Sequence, residues 1–327
     1  MFGKDLISIA DLTTQEVLEI LHLAMRVKSD PDEYSDYLTG CTMAMIFEKP
    51  SLRTRVSFEA GMTQLGGHAI YLGPGDISLG KRESVPDIAR TLDRMVDIIM
   101  ARTFSQQTIL TLAEYAEAPV INGLSDLLHP CQALADYLTV VEARDKMLSQ
   151  TLDENVPAEE LLERFKGLTL AFVGDGNNVA HSLMNGGAKL GVSVNVVCPE
   201  GYEPNPAIVA AANAAGRKTG AVMRVTHDVR EGVGGAHVVY TDVWASMGQE
   251  KEAEERKKVF APYQVNADLM ALADKQALFL HCLPAHRGEE VTEEVIESDQ
   301  SAVFDEAENR LHVQKSVILH LLTEELE

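Results

Sequence analysis

Apolar residues along this chain fall into short continuous runs, and between those runs they recur every three or four positions. Near the start, Thr13 and Thr14 precede Val17, Leu18, Ile20 and Leu21, the mark of a capped amphipathic helix. Strand-like runs follow at 42–47, 68–72, 96–101 and 119–122, each closed by turn chemistry or a capping residue. A long helix is predicted over 130–147. The second half repeats the pattern, with strands at 168–173, 192–198, 223–226, 237–241 and 277–280 and a closing helix over 311–326. Strands alternating with helices predict the α/β class, with doubly wound parallel sheets.

The stretch 152–166 interrupts this rhythm: it is acidic, carries Pro157, and reads as a solvated linker with a short helix. A boundary near 150 divides the chain into domains 1–150 and 151–327, leaving open that the helix 311–326 packs back on the first. Two domains also suit 327 residues at about 150 residues each. No repeat with a solenoid or propeller period is visible.

Composition narrows the partners. Hydrophobic residues at 46% and charged residues at 24% describe an ordinary globular chain. The formal charge of −22 speaks against nucleic acid and against an anionic membrane surface. It leaves room for a small anionic ligand, because local arginines outweigh a diffuse field screened within about 8 Å. Cys41, Cys131, Cys198 and Cys282 are scattered, without the spacing of a metal clip or a disulfide scaffold, which suits a reducing compartment. No window approaches the roughly 20 apolar residues of a membrane span. The expectation is a soluble cytoplasmic protein.

In open α/β sheets ligands bind beyond the carboxyl ends of the strands, so polar clusters at those ends matter most. Ser51-Leu52-Arg53-Thr54-Arg55 leaves the first strand and enters a helix with Phe58, Met62 and Leu65 on its apolar face. Free amides, a helix dipole, hydroxyls and guanidinium forks there suit a phosphate, although a capped, solvated basic helix start is an equal reading of the motif alone. Arg102 follows the third strand. His129-Pro130-Cys131-Gln132 follows the fourth, with histidine and glutamine three apart at a helix start.

In the second half, Gly174-Asp175-Gly176-Asn177-Asn178-Val179 begins like a dinucleotide fingerprint but has Val179 at the third glycine position. Its asparagines suit a polar zwitterion better than a pyrophosphate. Asp242-Val243-Trp244-Ala245-Ser246-Met247-Gly248 and His281-Cys282-Leu283-Pro284 close two further strands, and Arg310 stands just before the closing helix. Singly, His129 and Cys282 read as structural residues. Together, an anion site in the first half and a zwitterion site in the second predict an active site in the cleft between two domains.

These motifs resemble those of the aspartate/ornithine transcarbamoylase family, ornithine branch, over residues 47–310. The family carries a Ser-Thr-Arg-Thr-Arg loop and a His-Pro-x-Gln segment, matched here by Ser51 to Arg55 and His129 to Gln132. The ornithine branch adds Asp242 with Ser246-Met247-Gly248, and His281-Cys282-Leu283-Pro284. The resemblance implies carbamoyl transfer from carbamoyl phosphate to the δ-amino group of L-ornithine, giving L-citrulline and phosphate in arginine metabolism, with no metal and no organic cofactor.

By the same resemblance Ser51, Leu52 through its backbone N–H, Arg53, Thr54 and Arg102 hold phosphate. Arg102, His129, Gln132, Arg310 and the backbone around Cys282 and Leu283 hold the carbamoyl group. Asn178, Asp242, Ser246 and Met247 hold ornithine, and Asp242, Cys282 or the departing phosphate takes the proton from the attacking amine. The family is a homotrimer or a multiple of trimers.

Two positions depart from the pattern. Leu52 replaces the first threonine of the phosphate loop, which removes a hydroxyl and keeps a backbone donor. The loop 76–84, through which a neighbouring subunit reaches the family's site, offers Ser78. Three rival readings are weaker. A nicotinamide dehydrogenase would need the glycine that Val179 replaces. A non-catalytic amino-acid binder would not need the arginine-rich loop. Carbamoylation of aspartate or N-acetylornithine fits poorly with Ser246-Met247-Gly248.

Overall fold

The computed structural model describes residues 1–77, 79–80, 83–147, 156–245 and 252–324. They cluster as two compact units, Met1–Ala135 with Asn309–Glu327, and Asp136–Glu308.

In the first unit, α1 (Thr14–Ser29) opens with a reciprocal capping box: Glu16 N–H donates to Thr13 Oγ1 at 3.1 Å, and Thr13 N–H to Glu16 Oε2 at 2.8 Å. There follow β1 (Thr42–Phe47), α2 (Leu52–Gln64), β2 (His68–Leu72), α3 (Val85–Leu92), β3 (Ile98–Arg102), α4 (Gln106–Tyr115), β4 (Val120–Leu124) and the start of α5 (Pro130–Met147). All pairings are parallel, in the order β2-β1-β3-β4. Central β1 is apolar and buried from Met43 to Phe47, as a strand covered on both faces must be, whereas edge strand β2 is half exposed. Ile46, Ile99, Ala101, Ile109, Leu112 and Val120 form one of the cores behind the sheet.

The second unit begins inside α5 and continues through α6 (Ala158–Phe165), β5 (Thr169–Val173), α7 (Asn178–Leu190), β6 (Ser193–Val197), α8 (Pro206–Gly216) and β7 (Met223–Thr226). It then runs through α9 (Val229–Val233), β8 (Val238–Thr241), α10 (Ala253–Phe260), α11 (Ala267–Met270), β9 (Leu278–His281), α12 (Glu293–Ile296) and the first turns of α13 (Val303–Leu322). Its sheet is also wholly parallel, ordered β7-β6-β5-β8-β9.

Each order contains one reversal. The first chain winds outward from β1 to β2, then returns to the other side with β3. The second winds from β5 through β6 and β7, then returns with β8. At such a switch point the loops after two neighbouring strands diverge and leave a crevice at their carboxyl ends. The loops concerned begin after Phe47 and Arg102 in the first unit, and after Val173 and Thr241 in the second.

The structure moves several predicted boundaries. β3 ends at Arg102, β4 at Leu124 and β9 at His281, so Arg102 and His281 belong to their strands instead of following them. The largest correction concerns the closing helix, which starts at Val303 and not at 311. Val303, Glu306, Asn309, Arg310, Val313, Gln314 and Val317 are buried at helical spacing. Four of these seven are polar, so a search for apolar periodicity passes over the first two turns. Arg310 therefore lies inside a helix, where its side chain is nearly fully buried.

Candidate active site

In the first unit the chain leaves β1 and turns into α2 with Ser51 as N-cap, its Oγ accepting from Thr54 N–H at 3.3 Å. Thr54 Oγ1 is a meeting point. It receives the Ser51 hydroxyl at 3.1 Å, Arg310 Nη2 at 3.3 Å and Arg102 Nη1 at 3.5 Å. Arg310 Nη1 also donates to Gln132 Oε1 at 2.7 Å. Arginines from β3 and α13 thus converge on the first turn of α2, where a helix also presents its positive end. The other arginine of the loop's end, Arg55, turns away: it pairs with Glu59 at 3.1 Å and lies over the Tyr71 ring at 4.0 Å.

His129, at the start of α5, completes this half. Burial, then the charges of Arg310, Arg102 and Arg53, hold its ring well below the ordinary histidine value of 6.5. The imidazole is neutral near pH 7 and offers an N–H without adding charge. Its neighbour Cys131 faces the Asn122 carbonyl at 3.8 Å, and burial pushes its thiol up to about 12, a structural thiol.

The His129 ring also sets a pH dependence of stability. Below pH 6.5 the unfolded chain binds a proton that the native ring refuses, so native stability falls with pH by about 1.4 kcal/mol per unit until the native ring titrates. We expect His129→Gln to lose this part of the slope between pH 6.5 and 5.5 in denaturant unfolding. Equal slopes in both proteins would show an ordinary ring.

In the second unit, Gly174 to Asn178 leave β5 and enter α7 with Asn177 as N-cap. A side chain at Gly176 would meet the Pro204 nitrogen at 2.2 Å, so this glycine serves the close approach of residues 203 and 204. That accounts for the partial dinucleotide pattern without a nucleotide. Val179 is buried in the first turn of α7.

Beyond β8, Asp242 gathers three donors. Asn177 Nδ2 reaches its Oδ2 at 2.8 Å, while Val243 N–H at 2.8 Å and the Cys282 thiol at 3.1 Å reach its Oδ1. Burial, then the Asp242 charge, push the Cys282 thiol well above the usual range, so sulfur stands there as a donor and not as a thiolate. His281 is wholly buried; its Nδ1 receives Leu283 N–H at 2.9 Å and its Nε2 lies 3.2 Å from Glu290 Oε1. That network assigns the proton to Nε2. Leu283, held by this bond, sits at φ 54°, a left-handed conformation that a branched residue adopts only when its surroundings enforce it.

Asp242, His281 and Cys282 bring potential metal-ligand atoms within 4.8 Å of one another, as do His286, Glu289 and Glu290. In the first set the thiol and both ring nitrogens already bond to protein groups. In the second, Glu289 pairs with Lys257 at 2.9 Å and His286 N–H donates to Glu290.

The structure therefore groups Ser51, Thr54, Arg102, Gln132 and Arg310 by direct bonds, with Arg53 and His129 electrostatically coupled beside them. Separately it groups Asp242 with Cys282 and His281 with Leu283; Asn178 stands next to Asn177 at the head of α7. Leu52 points outward, 74% exposed. Ser246, Met247 and Ser78 lie outside the described residues. Two contributors, Glu290 and Arg256, escaped the sequence reading, and Asn177 entered it only beside Asn178, without a role of its own. Asn177 is indistinguishable in sequence from Asn178, and Glu290 lies in a loop without periodicity. Arg256, which bonds Asp175 at 2.7 Å and the Trp244 carbonyl at 2.9 Å, looks like part of a solvated charged helix.

Residues 4–142 match the family described as aspartate/ornithine carbamoyltransferase, carbamoyl-P binding domain, and residues 166–321 match its Asp/Orn binding domain. An ornithine carbamoyltransferase of Anoxybacillus flavithermus is 50% identical over 322 residues, 98% of this chain and 97% of that protein. An anabolic ornithine carbamoyltransferase of Pyrococcus furiosus is 50% identical over 318 residues, covering 97% and 95%. The solved structure of ornithine carbamoyltransferase from Pyrococcus furiosus matches with a TM-score of 0.90 at 49% identity, over 99% of each chain.

Proposed function

The chain belongs to the aspartate/ornithine carbamoyltransferase family, and from that premise we propose that it transfers the carbamoyl group of carbamoyl phosphate to the δ-amino group of L-ornithine, yielding L-citrulline and phosphate. The observation that carries this reading is that each unit holds one of two unlike half-sites. A cluster of guanidinium groups around Thr54 and the α2 N-terminus suits a phosphate ester. A carboxylate held by Asn177 and Cys282 suits the cationic amine of an acceptor.

In the first unit, Ser51, Arg53, Thr54, Arg102 and the Leu52 amide hold the phosphate. Leu52 is the first helical residue, and its N–H has no carbonyl partner within the helix. Arg102, His129, Gln132 and Arg310 hold the carbamoyl group. In the second unit, Asn178, Asp242, Ser246 and Met247 hold ornithine, and the backbone at Cys282 and Leu283 adds to the carbamoyl contacts. The amine attacks the carbonyl carbon, the bond to the phosphate oxygen breaks, and negative charge passes through the former carbonyl oxygen. Donors aimed at that oxygen from Arg102 and the neutral His129 stabilise the charge as it develops.

Before attacking, the amine must lose a proton that it holds with a pKa of about 10.4 in water. Asp242 accepts the thiol of Cys282, and the depressed acidity of that thiol makes the carboxylate, or the phosphate being released, the better acceptor of the proton. Holding both reactants removes much of the entropic barrier to their meeting.

Free cysteines and exposed apolar side chains bear on the expected setting. All four cysteines are free, as suits the cytoplasm. Among the described residues no helix is long and apolar enough to cross a membrane. Exposed Val56, Ile70, Met95 and Phe104 give the first unit apolar surface that a homotrimer, or a multiple of trimers, would cover, which sedimentation equilibrium checks.

Formation of the carbamoylated product from carbamoyl phosphate, measured with ornithine, aspartate and N-acetylornithine as acceptors, tests the function. Turnover with ornithine alone supports it, and preference for another acceptor overturns it. Leu52→Thr is expected to change the KM for carbamoyl phosphate by less than about tenfold, about 1.4 kcal/mol, because the backbone N–H is common to both residues. A larger gain would show that the missing hydroxyl mattered.

A further inference from the structure

Within the second unit, Glu306 is a buried carboxyl that the proposed chemistry leaves unused. It is 1% exposed, and Asp136 beside it is fully buried. Glu306 Oε1 accepts from the Tyr240 hydroxyl at 3.1 Å, Oε2 accepts from His281 N–H at 2.9 Å, and the carboxyl also hydrogen-bonds Asp136. Ionised carboxylates only accept, so a bond between two carboxyl groups requires one proton shared by the pair. Burial first, then the Asp136 charge, then the bond to Asp136 raise the Glu306 carboxyl well above the carboxylate range.

The position of the pair gives it a task. Tyr240 is two residues before Asp242 on β8, and His281 is the residue before Cys282 on β9. The β8–β9 ladder ends at the pair Thr241 and His281. Where the ladder stops, one Glu306 carboxyl takes hold of both strands, two residues before Asp242 and one before Cys282. The charges of Glu306 and Asp136 also bear on the Cys282 thiol and the Tyr240 hydroxyl. Were both carboxyls ionised, three carboxylates would crowd this one place; sharing a proton removes one charge.

We propose that Glu306 is a positioning residue for the acceptor: its proton-sharing bond to Asp136 lets a single carboxyl clamp the ends of β8 and β9 and fix the geometry of Asp242 and Cys282. The proposal rests on the reading of Asp242 as the ornithine-binding carboxylate. Glutamine at 306 keeps one oxygen for the His281 N–H and turns its N–H₂ toward Asp136 and the Tyr240 hydroxyl oxygen, which can accept in place of donating, whereas alanine strands the His281 N–H and the Tyr240 hydroxyl.

Citrulline formation by the unaltered protein is measured first, and its absence would refute the acceptor reading without touching the clamp. Glu306→Ala is then expected to raise the ornithine KM at least about tenfold, and Glu306→Gln to stay within about threefold of the unaltered protein, with the KM for carbamoyl phosphate nearly constant in both. An unchanged ornithine KM in the alanine variant, or a glutamine variant as impaired as alanine, overturns the proposal. Should Glu306→Ala not fold, infrared difference spectroscopy of the folded Glu306→Gln protein decides. The unaltered protein at neutral pH should show the carbonyl band of a buried carboxylic acid that the glutamine variant lacks, and no such difference would overturn the shared proton.

Discussion

Arg102→Ala is expected to lower kcat/KM for carbamoyl phosphate by about 10²- to 10³-fold, the usual loss when one donor to a developing oxyanion is removed. Arg102 ends β3, and its Nη1 meets the Thr54 hydroxyl that Arg310 also meets. It is half-buried and its removal opens no large cavity, so melting temperature should move little. Arg102→Lys keeps the charge and loses the planar fork, and should fall between the two. Steady-state kinetics with carbamoyl phosphate varied at saturating ornithine checks this. An alanine variant with near-normal efficiency would remove Arg102 from the reacting group and leave Arg53 and Arg310 as the only guanidinium candidates.

The first unit's half-site was largely legible in sequence because its parts obey local rules. Ser51 is read as a cap from its place before an amphipathic run, and the structure has it accepting from Thr54 N–H. β1 spans 42–47 between Gly40 and Pro50, and α5 opens on Pro130, as the sequence reading has them. Where sequence reading slipped, the cause was burial of polar groups. The first turns of α13 present Glu306, Asn309 and Arg310 inward, and no hydrophobicity pattern announces a polar face that is satisfied by hydrogen bonds.

The second half-site was legible as types of residue and not as a network. Asp242 and Cys282 stand 40 positions apart, and only the order β5-β8-β9 makes their strands neighbours. Choosing Asn177 over Asn178 as the partner of Asp242 depends on the turn of a helix cap, one residue's difference in direction. Glu290 and Asp136 have no positional signal, because a buried carboxyl is defined by who meets it and not by its neighbours in the chain.

Asp242→Asn should cripple the use of ornithine while leaving carbamoyl phosphate binding nearly intact. The aspartate sits in a ring of donors: Asn177 Nδ2, Val243 N–H and the Cys282 thiol. An asparagine can match only one of its two oxygens, so its amide N–H₂ must face one of those donors, and the amine of the acceptor loses its opposite charge. Removing one member of such a buried charge pair typically costs about 2 to 5 kcal/mol. At about 1.4 kcal/mol per decade that is roughly 30-fold to several thousand-fold in kcat/KM for ornithine. The competing account makes Asp242 a loop brace through Val243 and Asn177, a duty for which one remaining oxygen largely suffices. Kinetics with ornithine, set beside calorimetric binding of carbamoyl phosphate alone, separates the two. Retained ornithine efficiency would reduce Asp242 to a brace, and joint loss of both affinities would mean that the substitution had disordered more than the acceptor site.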